Sequence, residues 1–217
     1  VIVHNASAVP ITKDNFNNIN IRSTKLILEN FVKYKIKKLV YISTSAVYGT
    51  PNDFPITENS QRIPIEDYGR SKKISEDECL KQMSENNIII IRPRTIIGGN
   101  RMGIFSLLFD WIENNIPLPV LNNGDNLYQF VDINDLTEAI YLSSKIDYSG
   151  DLNIGSSKFM TIRHLLTSLV LEVGSKSKLK NLDNSLLFNI AYLMQKMKII
   201  PLQDYHFKMY GENVYFD

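Results

Sequence analysis

Four isoleucines in succession, Ile88-Ile89-Ile90-Ile91, closed by Arg92-Pro93, constrain this chain more than any other stretch. A strand that is apolar at every position, not at every second one, has no face to offer water. It has to be covered on both sides, which is the condition of a parallel sheet between layers of helices. Leu39-Val40-Tyr41-Ile42-Ser43 is a second such run, and Val1-Ile2-Val3-His4 a third. Helical stretches separate them. Residues 14–35 set Phe16, Ile19, Ile27, Leu28, Phe31 and Val32 on one face at three-to-four spacing, with Asp14 placed to cap the start. Residues 68–86 read as a second helix. Strand–helix–strand–helix–strand is the α/β signature. After Gly98 the rhythm changes: helices over 103–114, 134–145 and 161–173, an extended 116–120 and a short strand at 152–154. The spacing predicts a sheet domain over 1–98 and 127–155, and a smaller α/β lobe over 99–126 and 156–217.

Charge and cysteine content remove whole classes of function. Lys+Arg 24 against Asp+Glu 23 leaves a formal charge of +1, so no basic surface points to a nucleic-acid partner. One cysteine, Cys79, excludes an internal disulfide and a cysteine-based zinc site. His4, His164 and His206 lie too far apart to show metal-ligand spacing, and no metal is expected. The lone thiol suits a reducing compartment, and the chain reads as cytoplasmic. The apolar stretch 186–200 is interrupted by Asn189, Gln195, Lys196 and Lys198, so it reads as an amphipathic helix and no membrane partner is expected. Several features are expected to be structural only. Phe105, Leu108, Phe109, Trp111 and Ile112 read as core, Cys79 as packing and His164 as surface. Residues 176–180 read as a solvated linker.

The chemistry concentrates between Leu39 and Lys72. Ser43-Thr44-Ser45 ends the second strand, and hydroxyls at the carboxyl end of a parallel strand face the crevice where such sheets take ligands. Tyr68 and Lys72 stand one helical turn apart on one face. An ammonium near a phenol favours the phenolate, which can then take a proton from a substrate hydroxyl. Thr44 can hydrogen-bond the same oxygen. Tyr34 and Lys38 repeat the spacing, but they lie in a charged helix-to-strand turn and read as solvated surface.

With these segments in order, the chain resembles the extended short-chain dehydrogenase/reductases, the NAD-dependent epimerase/dehydratase group. His4-Asn5-Ala6 resembles that group's His-x-Ala strand end, and Asn20 with Ser23-Thr24 its Asn-x-x-Gly-Thr. Residues 43–49 resemble its Ser-Ser-x-x-Val-Tyr-Gly, and residues 68–72 its Tyr-Gly-x-Ser-Lys. Arg92-Pro93 followed by Gly98, residues 130–136 and Leu152-Asn153-Ile154-Gly155 match in the same sequence. The resemblance implies a Rossmann-like, doubly wound parallel sheet with a small substrate lobe. It implies NAD as cofactor, with NADP left open, and a nucleotide-sugar as the small-molecule partner. Tyr68 would be the acid/base, Lys72 its partner and a cofactor contact, and Thr44 the donor to the substrate oxygen. Asn5, Ala6, Asn20, Tyr68, Lys72 and Pro93 would line the dinucleotide, and Thr95 the substrate. A homodimer through the helices at 14–35 and 68–86 is implied by resemblance alone.

Departures sharpen the reading. No Gly-x-Gly-x-x-Gly occurs, and the group's pyrophosphate loop belongs to its first strand, whereas Val1 matches its fourth. Two or more strand–helix units, roughly 60 residues, are thus expected upstream, and the sheet in hand is read as incomplete. Without them residues 1–4 would be an apolar edge. The end at Tyr215-Phe216-Asp217 reads as cut as well. Ser45-Ala46 stands where the sugar dehydratases carry an Asp-Glu pair, which disfavours elimination. Tyr128 stands where many members have a phosphate-binding arginine, leaving Arg94 or Arg101 for that task. The reading is an NAD-dependent nucleotide-sugar epimerase-type enzyme. The alternatives are an NAD(P)-dependent reductase or dehydrogenase of a sugar or sterol-like carbonyl, or an inactive truncated remnant.

Overall fold

The unbroken apolar runs become strands whose alternate side chains serve two different helix layers. The computed structural model describes residues 1–8, 16–99, 104–183 and 209–217, with backbone alone at 17, 18, 104 and 106. The expected cap Asp14, Gly103 at the next helix start, Arg101, the helix at 186–200 and His206 lie outside the described residues. In chain order the first half holds β1 (Ile2–His4), a π-helical stretch (Asn17–Arg22) continuing into α1 (Ser23–Lys33), β2 (Leu39–Ile42), a 3₁₀ turn (Ser45–Tyr48), α2 (Asp67–Met83), β3 (Ile88–Pro93) and β4 (Thr95–Ile97). The second half holds α3 (Ile104–Glu113), β5 (Leu118–Val120), β6 (Leu127–Asp132), α4 (Ile133–Lys145), β7 (Gly150–Ile154), β8 (Phe159–Thr161), α5 (Ile162–Val173) and β9 (Leu179–Asn181). The chain divides into two units: Val1–Ile97, Phe130–Ser156 and Phe216–Asp217 form the first, Gly98–Gln129 and Ser157–Tyr215 the second.

In the first unit β1, β2, β3 and β7 form a four-stranded sheet in that order, parallel throughout. Leu39, Tyr41, Ile88 and Ile90 pack on Leu28 and Phe31 of α1 and Cys79 of α2. The intervening Val40, Ile42, Ile89 and Ile91 pack on Val131 and on Leu136 of α4. Each residue of β2 and of Ile88–Ile91 therefore meets a helix layer or its neighbour, whereas in the run Val1–His4 both Val1 and Val3 are exposed, against the expectation of cover on both sides. The α/β expectation is met. The long helix predicted over 14–35 differs: its described part begins as a π-helix, and Ile19 and Val32 are exposed. A π-helical turn shifts the side-chain register, so one apolar stripe does not run its whole length.

Arg92, the polar end of the isoleucine run, is 1% exposed. It donates from Nε and Nη2 to Glu76 of α2 at 3.0–3.1 Å, and from Nη1 to Tyr48 Oη at 2.8 Å. Asp151 of β7 completes its ion pairs at 2.6 Å, and Arg62 adds a second guanidinium to Glu76 at 2.9 Å. Buried charge persists only when paired in this way. Lys38 corrects the expectation of a solvated surface. Tyr34 is exposed, but Lys38 is buried, its ammonium donating to the carbonyls of Ser143, Ile146 and Tyr148. It satisfies the carbonyls left unpaired where α4 ends, as a cation at a helix C-terminus should.

In the second unit β5 pairs in parallel with β9, and the first half of β6 runs antiparallel to β8. Phe105, Leu108 and Ile112 of α3 are buried as expected, whereas Phe109 is exposed and Trp111 half-buried. The last two residues of the linker expected at 176–180 instead belong to β9. Leu118 N–H donates to Lys178 O at 3.0 Å, and Ser177 is buried. Lys176, Lys178 and Lys180 are all exposed, so the charge of the segment misled the sequence reading.

Candidate active site

The carboxyl edge of the parallel sheet gathers most of the residues singled out from the sequence. Asn5 and Ala6 are exposed in the segment leaving β1. Ser43 and Thr44 follow β2, and Pro93 ends β3 opposite Ile154. Thr95 opens β4, half-buried and opposite Phe130. This is the edge at which open α/β sheets take ligands.

Tyr68 and Lys72 reach that edge because of how α2 begins. Glu66 caps the helix: its carboxylate accepts from Tyr68 N–H at 2.6 Å and Gly69 N–H at 2.5 Å. Burial pushes the Glu66 carboxyl above its usual range, against the pull of those two amides. Gly69 then lets the first turn touch the 3₁₀ turn after β2. A Cβ there would lie 2.7 Å from Ala46 O and 2.9 Å from Glu66 Oε1. Thr44 caps that 3₁₀ turn, its Oγ1 accepting from Ala46 N–H at 3.2 Å. The backbones that carry Thr44 and Tyr68 are thus in direct contact.

Lys72, one turn further along α2, is 2% exposed. Its ammonium donates to Ile42 O at 2.6 Å and lies 4.3 Å from the centre of the Tyr41 ring. Desolvation lowers its pKa to about 8, with Glu76 pulling in the opposite direction. His4 packs against the same Tyr41 with the rings tilted, 5.3 Å between centres, and is held neutral, its pKa lowered to about 4 by burial and then by Lys72. Thr24 gives its proton to Asn20 O at 2.7 Å, so its oxygen accepts from His4 Nε2–H at 3.0 Å. Cys79, buried on α2, has its thiol pushed up to about 12 by burial, as suits a packing residue.

Asn20 lies in the π-helical stretch, 1% exposed. Its Oδ1 accepts from Ala8 N–H at 2.8 Å, and its Nδ2 donates to Ser71 Oγ at 2.8 Å. Ser71 in turn donates to Tyr68 O at 2.7 Å. Asn20 therefore fastens the segment after β1 to the turn of α2 that bears Tyr68.

Ser43 Oγ is buried at the carboxyl end of β2 with no hydrogen-bond partner among the described residues. Side-chain alternation puts it on the Tyr41 side of the sheet, the side of α2. An orphaned hydroxyl one residue past the carbonyl that holds Lys72 fits the polar edge of a bound dinucleotide. Arg94, one of the two arginines offered for the phosphate, is buried directly after β3. Its Nη1 donates to Ser45 Oγ at 2.7 Å and its guanidinium lies 5.6 Å from the Phe216 ring centre. Arg101 lies outside the described residues. Tyr128 is buried on β6 with its ring 5.1 Å from that of Phe105.

Glu66, Ser71 and Glu76 escaped the sequence reading. Glu76 had a signal: it follows Lys72 by one turn and Tyr68 by two, and the buried Arg92 demanded a carboxylate. Glu66 had none, since glutamate is not a favoured capping residue.

Residues 2–155 match the family model described as the NAD dependent epimerase/dehydratase family. The chain belongs to that family. It is 37% identical over 220 residues to an uncharacterized protein of Sinorhizobium fredii, y4nG, a match spanning all of this chain and 56% of that one. It is 27% identical over 191 residues to UDP-arabinose 4-epimerase 1 of Arabidopsis thaliana, over 76% of this chain and 45% of that protein. Among solved structures it is similar to UDP-glucuronic acid 4-epimerase from Bacillus cereus in complex with NAD. That match has a TM-score of 0.73 and 26% identity, over 83% of this chain and 62% of that chain. The chain thus spans about half the length of the curated relatives it matches.

Proposed function

We propose that this chain carries the acid/base half of an NAD-dependent nucleotide-sugar epimerase. The first unit would be its dinucleotide-binding part and the second its substrate-binding part. The observation that carries the reading is the joint between β2 and α2: Gly69 against Ala46, and Lys72 Nζ on Ile42 O, with Thr44 and Tyr68 on the two sides of that joint. The similar Arabidopsis protein is a UDP-arabinose 4-epimerase and the similar Bacillus protein a UDP-glucuronic acid 4-epimerase in complex with NAD, which supports the reading.

NAD, when bound, supplies the site that accepts and returns a hydride. Asn5, Ala6, Lys72 and Pro93 would hold it, with Ser43 adding a hydroxyl to that set. Asn20 serves the same site from behind, by fixing residues 7–8 against α2. Tyr68 takes the proton of the sugar hydroxyl at its Oη and later gives it back. Lys72 keeps a positive charge beneath the Tyr68 turn, and Thr44 holds the substrate oxygen, with Thr95 beside it. Ser45 and Ala46 offer no carboxylate next to Thr44, which favours epimerisation over elimination. The test uses the full-length protein with UDP-sugars, following the epimer ratio by NMR. Tyr68→Phe should lose about 10²- to 10⁴-fold in turnover, the usual worth of a general acid/base, while cofactor binding changes at most severalfold. Turnover within threefold of the parent would sink the assignment.

A further inference from the structure

Glu66 is an unusual residue at the head of α2, and both of its oxygens are used there. A helix start leaves amides without intrahelical partners, and a serine or aspartate in the capping position ordinarily satisfies one of them. Glu66 satisfies two. Its Oε2 accepts from Tyr68 N–H at 2.6 Å and its Oε1 from Gly69 N–H at 2.5 Å. Each oxygen of the ionised carboxylate thus holds one amide, and the charge lies at the positive end of the helix. Tyr68 O, on the other side of the same residue, accepts from Ser71 Oγ–H at 2.7 Å. The main chain of Tyr68 is therefore gripped twice, by Glu66 at its N–H and by Ser71 at its carbonyl.

The grip at the N–H depends on ionisation. A proton on Glu66 turns one of its oxygens into a donor facing an amide that is itself a donor, so one bond is lost together with the charge. Gly69, the residue that Oε1 holds, is where α2 meets the turn after β2, a Cβ there lying 2.7 Å from Ala46 O. The charged groups that bear on Glu66 are Asp67 and Arg70 of α2, which pair with each other at 2.6 Å. The 3₁₀ turn Ser45–Tyr48, on the far side of Gly69, brings no charged side chain, and its Tyr48 phenol is bound to Arg92 and Asn153. Arg62 of the preceding loop is engaged by Glu76 and Asp77. Burial is the largest influence on the Glu66 carboxyl and raises its pKa, so the proton arrives at milder acidity than on an exposed glutamate.

We propose that Glu66 is a positioning residue for Tyr68 and an acid-operated release of it: the ionised carboxylate clamps the first turn of α2, and its protonation lets that turn fray. The inference rests on the epimerase reading above and adds a regulation of the same site. Glu66 acts through the main chain of Tyr68, and a displacement of the phenol by about 1 Å is enough to cost about 10²-fold in rate.

The experiment compares the full-length parent with Glu66→Gln, which keeps the volume and imitates the protonated side chain, from about pH 8 down to about pH 5. With UDP-sugar epimerisation followed by NMR, the kcat of the parent over that of the variant should be about tenfold or more at about pH 8, the worth of one charge-assisted hydrogen bond. It should fall toward about one in acid, with KM changed at most about twofold. A titration shared by both proteins cancels in that ratio, and a merely structural role leaves it constant with pH. Glu66→Asp, which keeps the charge, should restore part of the rate. Hydrogen exchange at the Tyr68 and Gly69 amides reads the clamp without turnover: protection should fall about tenfold in Glu66→Gln near neutral pH. If Glu66→Gln does not fold, Glu66→Ser, a favoured cap with one oxygen that does not titrate, takes its place in both measurements. A kcat ratio independent of pH, or protection of those amides unmoved by the substitution, overturns the inference and leaves the epimerase reading standing. Failure of the parent protein to interconvert any UDP-sugar overturns both.

Discussion

Replacing Glu76 by glutamine tests whether the buried ion cluster holds the sheet to the helix that bears Tyr68 and Lys72. Glu76 is fully buried and receives three contacts at 3.0–3.1 Å from Arg92 and one at 2.9 Å from Arg62. Glutamine fills the same volume, so packing is preserved and the change is electrical. The amide turns two donors toward a guanidinium that is itself all donors. Arg92 keeps Asp151 at 2.6 Å, but that side chain is 27% exposed and neutralises it only in part. Breaking a buried pair from one side costs about 3–5 kcal/mol, and the remaining Asp151 puts this case near about 3 kcal/mol. The single Trp111 belongs to the second unit, so its fluorescence does not report the loss. Hydrogen exchange at Ile89–Ile91, in the core of the first unit, does. At about 1.4 kcal/mol per decade, exchange there should quicken by about 100-fold in Glu76→Gln. The double variant Glu76→Leu/Arg92→Met, which removes both charges, should exchange more slowly than the single one. Acceleration of less than about fivefold, or a double variant worse than the single, would refute the idea that charge pairing secures this layer.

Two further outcomes follow from the same geometry. Gly69→Ala puts a methyl 2.7 Å from Ala46 O, and separation of α2 from the Thr44 turn should cost about 1–3 kcal/mol together with most of the turnover. A thermal melt and a rate measurement settle it, and an alanine variant of parent activity would show that the close approach is not needed. Lys72 releases its proton at about 8 in the folded protein against 10.5 for a free lysine. Between those values the unfolded chain holds the extra proton, so this group adds stability as pH rises from 8 to 10.5, a slope that Lys72→Met should lack. If the charged form is the working one, kcat/KM should fall on the alkaline side near pH 8. Glu76→Gln, which removes the charge pulling the Lys72 pKa upward, should move that limb to lower pH.

The parallel sheet was legible because Leu39–Ile42 and Ile88–Ile91 have no polar position, a pattern that few other environments permit. The place of Tyr68 and Lys72 one turn apart on α2 was legible from helical spacing, a spacing that Tyr34 and Lys38 share. What distinguished them was the strand end before Tyr68, not the pair itself. Lys38 was misjudged because burial of a lysine depends on distant carbonyls, here at Ser143, Ile146 and Tyr148, which local sequence does not show. Residues 176–180 were misjudged for the converse reason: an alternating Lys-x-Lys pattern describes an exposed strand face as well as a linker. The Arg94–Ser45 bond joins residues 49 positions apart and had no local signal.

The joint between β2 and α2 is built almost wholly on main-chain atoms: Ile42 O for Lys72, Ala46 N–H for Thr44, Ala46 O for the approach of Gly69, and the amides of Tyr68 and Gly69 for Glu66. A backbone atom is present whatever side chain a mutation installs. Ser45, half-buried and with no main-chain part in this joint, is therefore the position freest to drift in evolution without dislodging Thr44 or Tyr68. A single substitution there can alter what the turn after β2 presents at the carboxyl edge of the sheet, while the joint itself is left intact.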